Sequence, residues 1–186
     1  MRWPLLYARS HRVPAAALTA VAGIGLLGLL ARAGENPQIA ALAAAVGAAA
    51  LTTGLSGTDP ALDRTAAFSW PPRRALHLLL GTVFVAGAVL LLAPVASGPL
   101  LLRDVVGLVG AGALGAVVFG AEYAWLLPIT WAASTLLLPA DDSGVGQVLT
   151  WPVQPAGTPV ATVTAAVLGC AGLLAQSALG ARRHRR

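Results

Sequence analysis

Six times in 186 residues the sequence runs apolar for long enough to cross a lipid bilayer, at about 14 to 32, 38 to 55, 75 to 95, 101 to 121, 122 to 139 and 158 to 180. A spanning helix needs ~20 mostly apolar residues. That length, repeated, predicts one fold class: an all-α, polytopic membrane protein with six transmembrane helices and a single membrane domain over 1–186. Composition agrees, because 57% of the residues are hydrophobic and 10% are charged, whereas a soluble domain carries roughly a quarter charged residues. The fourth and fifth runs form one block from 99 to 139, too long for one span at ~1.5 Å per residue. The block divides best at Gly120-Ala121-Glu122-Tyr123, where a glycine, a carboxylate and a tyrosine suit the membrane–water interface.

All 12 basic residues are arginine and the formal net charge is +5. They sit at the ends of the apolar runs, so they read as a topology signal and not as a nucleic-acid surface. With both termini in the cytoplasm, the inner side collects Arg2, Arg9, Arg12, Arg64, Arg73, Arg74, Arg182, Arg183, Arg185 and Arg186, and the outer side keeps Arg32 and Arg103. Ten against two predicts an N-in/C-in orientation. Residues 1–13 set Trp3, Leu5, Leu6 and Tyr7 among Arg2, Arg9 and Arg12, the composition of an interfacial lead-in, and 181–186 form a basic cytoplasmic tail. The early arginines and "ARA" at 31 to 33 are similar to a secretory signal, but the apolar run from 13 to 31 exceeds a signal core of about 7 to 15 residues. It is read as a first span. A lone Cys170 can form no internal disulfide and reads as a small apolar side chain.

Two interruptions are informative. In "SGTDPALDRTAAFSWPPRR", residues 56 to 74, Asp59 can cap a helix and Pro60 can open it, which predicts a short helix from about 60 to 69, ended by Trp70-Pro71-Pro72, within a cytoplasmic loop 58–72. Leu62, Ala66 and Phe68 are available to the membrane or a partner, and Asp63 and Arg64 to water. The segment is either a turn of the chain or a docking element for a cytoplasmic protein. The outer loop 140–157, with Gln147, Val148, Leu149 and Trp151 between glycines and prolines, is too apolar to be wholly solvated and too short to span. It predicts a re-entrant or interfacial hairpin. In the fourth run Gly107, Ala111 and Gly115 recur every four residues, as do Gly112, Ala116 and Gly120. Such ridges of small residues place this helix inside the bundle or at a subunit contact.

No catalytic residue is assigned. "GLSG" at 54 to 57 is similar to the G-x-S-G of rhomboid-like intramembrane proteases, but Ser56 falls at a helix end, the sixth run has no histidine, and His77 is the sole candidate base. The motif reads as a helix terminator and His77 as a hydrogen-bonded interface residue. Glu122, a carboxylate between two spans, is either a pathway residue or a headgroup-level partner of Arg73 or Arg74. Arg103-Asp104 either pair locally or face a pathway. No nucleotide-binding loop, Cys/His metal cluster or dinucleotide fingerprint is present, so no cofactor or metal is expected in this chain.

The order of parts resembles the membrane subunit (permease) of an ABC transporter of the ABC-2 (type V) kind. The matching stretches are residues 1 to 13, "TDPALDRTAAFSW" and "GVGQVLTWPVQP"; "LDRTAAFSWPPRRALHLL" and "GAEYAWLLPITWA" are also similar to small bacterial membrane proteins regarded as ABC permease components. The resemblance implies a homo- or heterodimer of permease chains in the bacterial inner membrane, forming a pathway between them. It implies a separate ATPase subunit that holds ATP and Mg, docked on Leu62, Asp63, Arg64, Phe68 and Trp70. Gly107, Ala111, Gly115 and Glu122 would line the pathway or pack helices, and the chain itself would be no enzyme. Two alternatives stay open: a monomeric six-span module resembling the substrate-binding S components of vitamin importers, with Ala16 and Ala20 on its contact face, and a non-transporting assembly or immunity factor.

Overall fold

The computed structural model describes residues 13–31, 36–55, 70–94, 96–138, 140–141 and 143–182. Among them the chain forms seven α-helices and one short 3-10 turn, with no strand: α1 Val13–Leu30, α2 Pro37–Thr53, α3 Trp70–Leu92, α4 Gly98–Val118, α5 Leu126–Ser134, α6 Gly144–Leu149, the turn Trp151–Val153, and α7 Pro159–Leu179. Four of these, α1, α3, α4 and α7, are long and apolar enough to cross a membrane, and α2 is a shorter apolar helix of 17 residues. The outward faces carry leucine and valine, as at Leu91 (80% exposed) and Leu18 (72%). An apolar exterior of this kind suits lipid and not water.

Proline and a few polar caps set the helix starts. The Asn36 side chain accepts hydrogen bonds from the backbone N–H of Gln38 (3.0 Å) and Ile39 (3.2 Å), with Pro37 next. Pro99 and Pro159 sit in the first turns of α4 and α7, where the missing N–H removes no helical bond. The double proline that was expected only to end a preceding helix lies in the first turn of α3, which begins at Trp70. The predicted helix at 60–69, with Leu62, Asp63, Arg64 and Phe68, lies outside the described residues, as do 1–12.

Small residues decide how these helices pack. α2, "PQIAALAAAVGAAALTT", buries Ala40, Ala41, Ala43, Ala44, Ala45, Gly47, Ala48 and Ala50; it is a thin rod on which others close from several sides. Gly23 of α1 lies against Val46, Gly47 against Val85 of α3 and Gly81 against Leu51, so α2 and α3 run antiparallel. α4 is the most enclosed helix, with fourteen of its 21 residues buried. Its Gly112 receives Thr52, and its Gly107 and Gly110 meet Ala165 and Gly169 of α7, so α4 and α7 run parallel with their backbones in contact. Hydroxyls within the helices bond to their own backbone, as Thr82 Oγ1 donates to Leu78 O (2.7 Å) and Thr164 Oγ1 to Val160 O (2.8 Å). No partner in water is needed.

The fifth apolar run is not the continuous helix expected over 122–139. The chain leaves α4 at Gly120 (φ +96°), the glycine at which the sequence divides the block, and makes turns through 121–125 before α5. Pro128 has no N–H for the carbonyl of Ala124. After α5, Thr135, Leu136 and Leu137 donate to carbonyls three residues back (3.3, 3.1 and 3.0 Å), while Ser134 Oγ and Thr135 Oγ1 donate to Trp131 O and Ala132 O (2.7 and 2.6 Å). Side-chain hydroxyls that compete for the same carbonyls tighten and end the helix.

A Cβ at Gly172 of α7 would lie 2.7 Å from Gly110 Cα, whereas nothing lies within 4 Å of one at Gly87. Gly172→Leu is expected to destabilise the bundle by about 1–3 kcal/mol through overpacking, lowering the thermal unfolding midpoint in detergent; Gly87→Leu should leave the midpoint unchanged.

Candidate functional site

The ridge of small residues on α4 continues one turn back to Arg103. Along that ridge Gly107 receives the Trp151 ring and Ala165, Ala111 is buried, and Gly115 receives Ala124, whose carbonyl lies 3.1 Å from a Cβ built there. The ridge thus faces inward within one chain, toward residues 143–155, α7 and the turn at 121–125. The structure brings Gly107, Ala111 and Gly115 together with Arg103 on one helix. It places Glu122 apart from them, exposed in the turn 121–125 at the other end of α4.

Arg103 and Asp104 are both buried, their side chains 5% and 1% exposed. Arg103 Nε donates to Asp104 Oδ1 (3.1 Å), Nη1 to Pro155 O (3.1 Å), and Nη2 to Pro152 O (3.3 Å) and Gln154 O (2.9 Å). Burying a charge costs several kcal/mol per ion unless it is paired and its remaining donors are used. Here the carboxylate supplies the countercharge and three backbone carbonyls take the rest of the guanidinium fork. Those carbonyls belong to a stretch whose two prolines and tight turn leave it no ladder of its own.

Residues 143–155 form a strap across this end of the bundle. Ser143 caps α6 by accepting from Gly146 N (3.0 Å), and its hydroxyl donates to Asp141 Oδ2 (2.6 Å). Thr150 Oγ1 donates to Gly146 O (2.8 Å), and Gln154 Nε2 donates to Thr150 Oγ1 (2.9 Å) and Asp141 O (3.1 Å). Trp131 of α5 donates from Nε1 to Leu149 O (2.9 Å) and meets Trp151 edge to face, with ring centroids 6.3 Å apart. Trp151 is 0% exposed and is wedged at Gly107. Gln38 at the start of α2 donates from Nε2 to Thr135 O (3.3 Å), which closes the same end.

Two buried polar atoms at this end, Asp104 Oδ2 and Trp151 Nε1, find no hydrogen-bond partner. Each such group costs about 1–3 kcal/mol when shut away from water. Gln176 of α7 likewise has both amide atoms buried without a partner.

At the opposite end, Arg182 N donates to Ala116 O (2.8 Å) and Arg182 Nη1 to Val118 O (3.1 Å), covering the last carbonyls of α4. Gly180 (φ +71°) ends α7, and a Cβ there would meet the Arg74 guanidinium at 2.8 Å. Of the residues assigned to partner docking, only the backbone of Trp70 is described, at the start of α3 and hence at this end. His77 lies partly buried on α3, and Cys170 is exposed on α7. Among the described residues no three His, Cys, Asp or Glu side chains gather as a metal site requires. Sequence reasoning left Arg103-Asp104 undecided and gave Trp131 and Gln154 no role; the one visible signal was a tryptophan and a glutamine set between prolines in an otherwise apolar loop.

If the pair is a single unit, truncating one partner should be worse than removing both. Arg103→Leu alone, which strands Asp104, is expected to cost about 3–5 kcal/mol, and Arg103→Leu with Asp104→Leu less. Chemical or thermal unfolding of the four proteins of the cycle in detergent measures the coupling; additive losses would contradict it. No protein-family model, curated protein or solved structure matches this chain.

Proposed function

We propose that the chain is the membrane-embedded permease subunit of an exporter of the ABC-2 kind, acting as a dimer with a separate ATPase. The observation that carries this reading is the division of labour between the two ends. One end holds the strap folded back onto the bundle between the fifth and last passes, anchored by Arg103. The other gathers Arg73 and Arg74 at the start of α3 and Arg182 after α7, and from it the chain leaves α2 and re-enters α3 through residues 56–69.

In this reading the arginine-rich end is cytoplasmic, and residues 56–69 are the docking loop. The passes are α1, α2, α3, α4, the segment 121–138 and α7. α2, with 17 residues, reaches about 25 Å at ~1.5 Å per residue, slightly short of a ~30 Å hydrocarbon core. The irregular backbone of 121–138 is tolerable at membrane depth because Ala124, Pro128, Ala132 and Thr135 are buried against protein. The strap is the re-entrant segment on the outer side. The ATPase would supply the energy, and the chain would supply helices whose packing differs between two states. Glu122, exposed beside the cytoplasmic end, belongs to the interface in this reading and not to a pathway.

A charge reversal tests the docking. Asp63→Arg with Arg64→Glu should reduce recovery of the ATPase in co-purification by about tenfold, the equivalent of ~1.4 kcal/mol, and bring stimulated ATP turnover down to the basal rate. Unchanged recovery and turnover would remove residues 62–70 from the interface, and a cysteine at 63 labelled only from outside intact cells would reverse the topology.

A further inference from the structure

We propose that the strap 143–155 opens as a unit from the end of the bundle, with Arg103 as its latch and Trp151 as its plug, uncovering Asp104 while the helices below stay packed. The inference goes beyond the reading as an exporter subunit and needs no partner protein.

Three observations carry it. The strap holds its own shape. Ser143, Thr150 and Gln154 bond within it and to Asp141 O, so part of its polar network is internal. Directional polar attachments tie it to the helices: Arg103 to the carbonyls of Pro152, Gln154 and Pro155, and Trp131 to that of Leu149. These end on backbone carbonyls, which water can take over when the strap lifts. The closed position also leaves Asp104 Oδ2 and Trp151 Nε1 without partners, and opening lets water reach both, which lowers the cost of the open state.

The contrast with the contact beneath is the reason that motion would stop there. α4 and α7 meet through Gly110, Gly169 and Gly172, backbone against backbone, a contact that no side-chain rotation opens. The strap instead touches α4 through one side chain fork and one ring seated at Gly107. Its outer residues Val145, Val148 and Leu149 are exposed, so no described part of the chain holds it down from above. Lifting it would uncover Gly107 and Ala165, where the Trp151 ring is seated.

Accessibility in the purified protein tests this. In a Cys170→Ser background, one cysteine replaces Ala161, one turn above Ala165 on the same face of α7 and 0% exposed, or Ala113, deeper on α4 and also 0% exposed. A membrane-impermeant maleimide should label position 161 slowly, and about tenfold faster when Arg103→Lys removes the fork. Position 113 should stay protected throughout. Equal rates at 161 with and without the latch would overturn the proposal, as would labelling of 113 in step with 161, which would make Arg103 a brace for the whole fold. Hydrogen exchange on the unaltered protein gives the same decision without a variant: the amides of 143–155 should exchange together and ahead of α4 and α7, and exchange at the rate of those helices would refute the strap as a separate unit.

Discussion

A backbone carbonyl inside a bilayer has no water to bind, and an irregular segment can sit at that depth only if some side chain takes its place. In this chain Arg103 donates to the carbonyls of Pro152, Gln154 and Pro155. Its guanidinium presents donors in a fixed plane, and three carbonyls in four residues converge on it. Lysine would offer the same charge without the planar fork. The cost of the buried cation is offset by Asp104, the next residue, so that one helix carries both the donor fork and its countercharge. The position of the strap, the seat of Trp151 and the closure of that end all follow from this pair.

The fork reaches its carbonyls only because α4 is stripped of bulk below it. Gly107, Ala111 and Gly115 on one ridge and Gly112 and Ala116 on the next let Trp151, α7, the turn at Ala124 and α2 each approach without a side chain in between. In lipid, where apolar surface gains nothing by leaving the solvent, that closeness is the main source of association. A single helix can therefore serve as the shared surface of the bundle while remaining plain in composition. The same ridge that looked suited either to a subunit contact or to the interior is consumed within one chain.

The sequence made the helices legible and the contacts much less so. The runs at 14 to 32, 101 to 121 and 158 to 180 correspond to Val13–Leu30, Gly98–Val118 and Pro159–Leu179, because apolar length is written directly in the residues. The fifth run holds a helix over Leu126–Ser134 only, because hydropathy is blind to the turn at Gly120 and to Ser134 and Thr135, whose hydroxyls bond to carbonyls at the helix end without changing its polarity. Arg103 stood out as an outer-side arginine, yet its partners are carbonyls 49 to 52 residues away, and a carbonyl carries no sequence signature. Glu122 drew attention by type, and it lies exposed in a turn.

The two ends of the bundle solve the same problem with different permanence. At one, Arg182, just past α7, donates from N and Nη1 to Ala116 O and Val118 O at the end of α4, tying the two helix ends to each other. At the other, the strap lies over α2, α4 and α7, held in part by Arg103, the Trp131 indole and the Trp151 ring at Gly107. A contact between two helix ends opens only if a helix moves, whereas a loop laid over helices can lift without moving one. Among the described residues, the Arg103 end is therefore where the proposed opening leaves the helices packed.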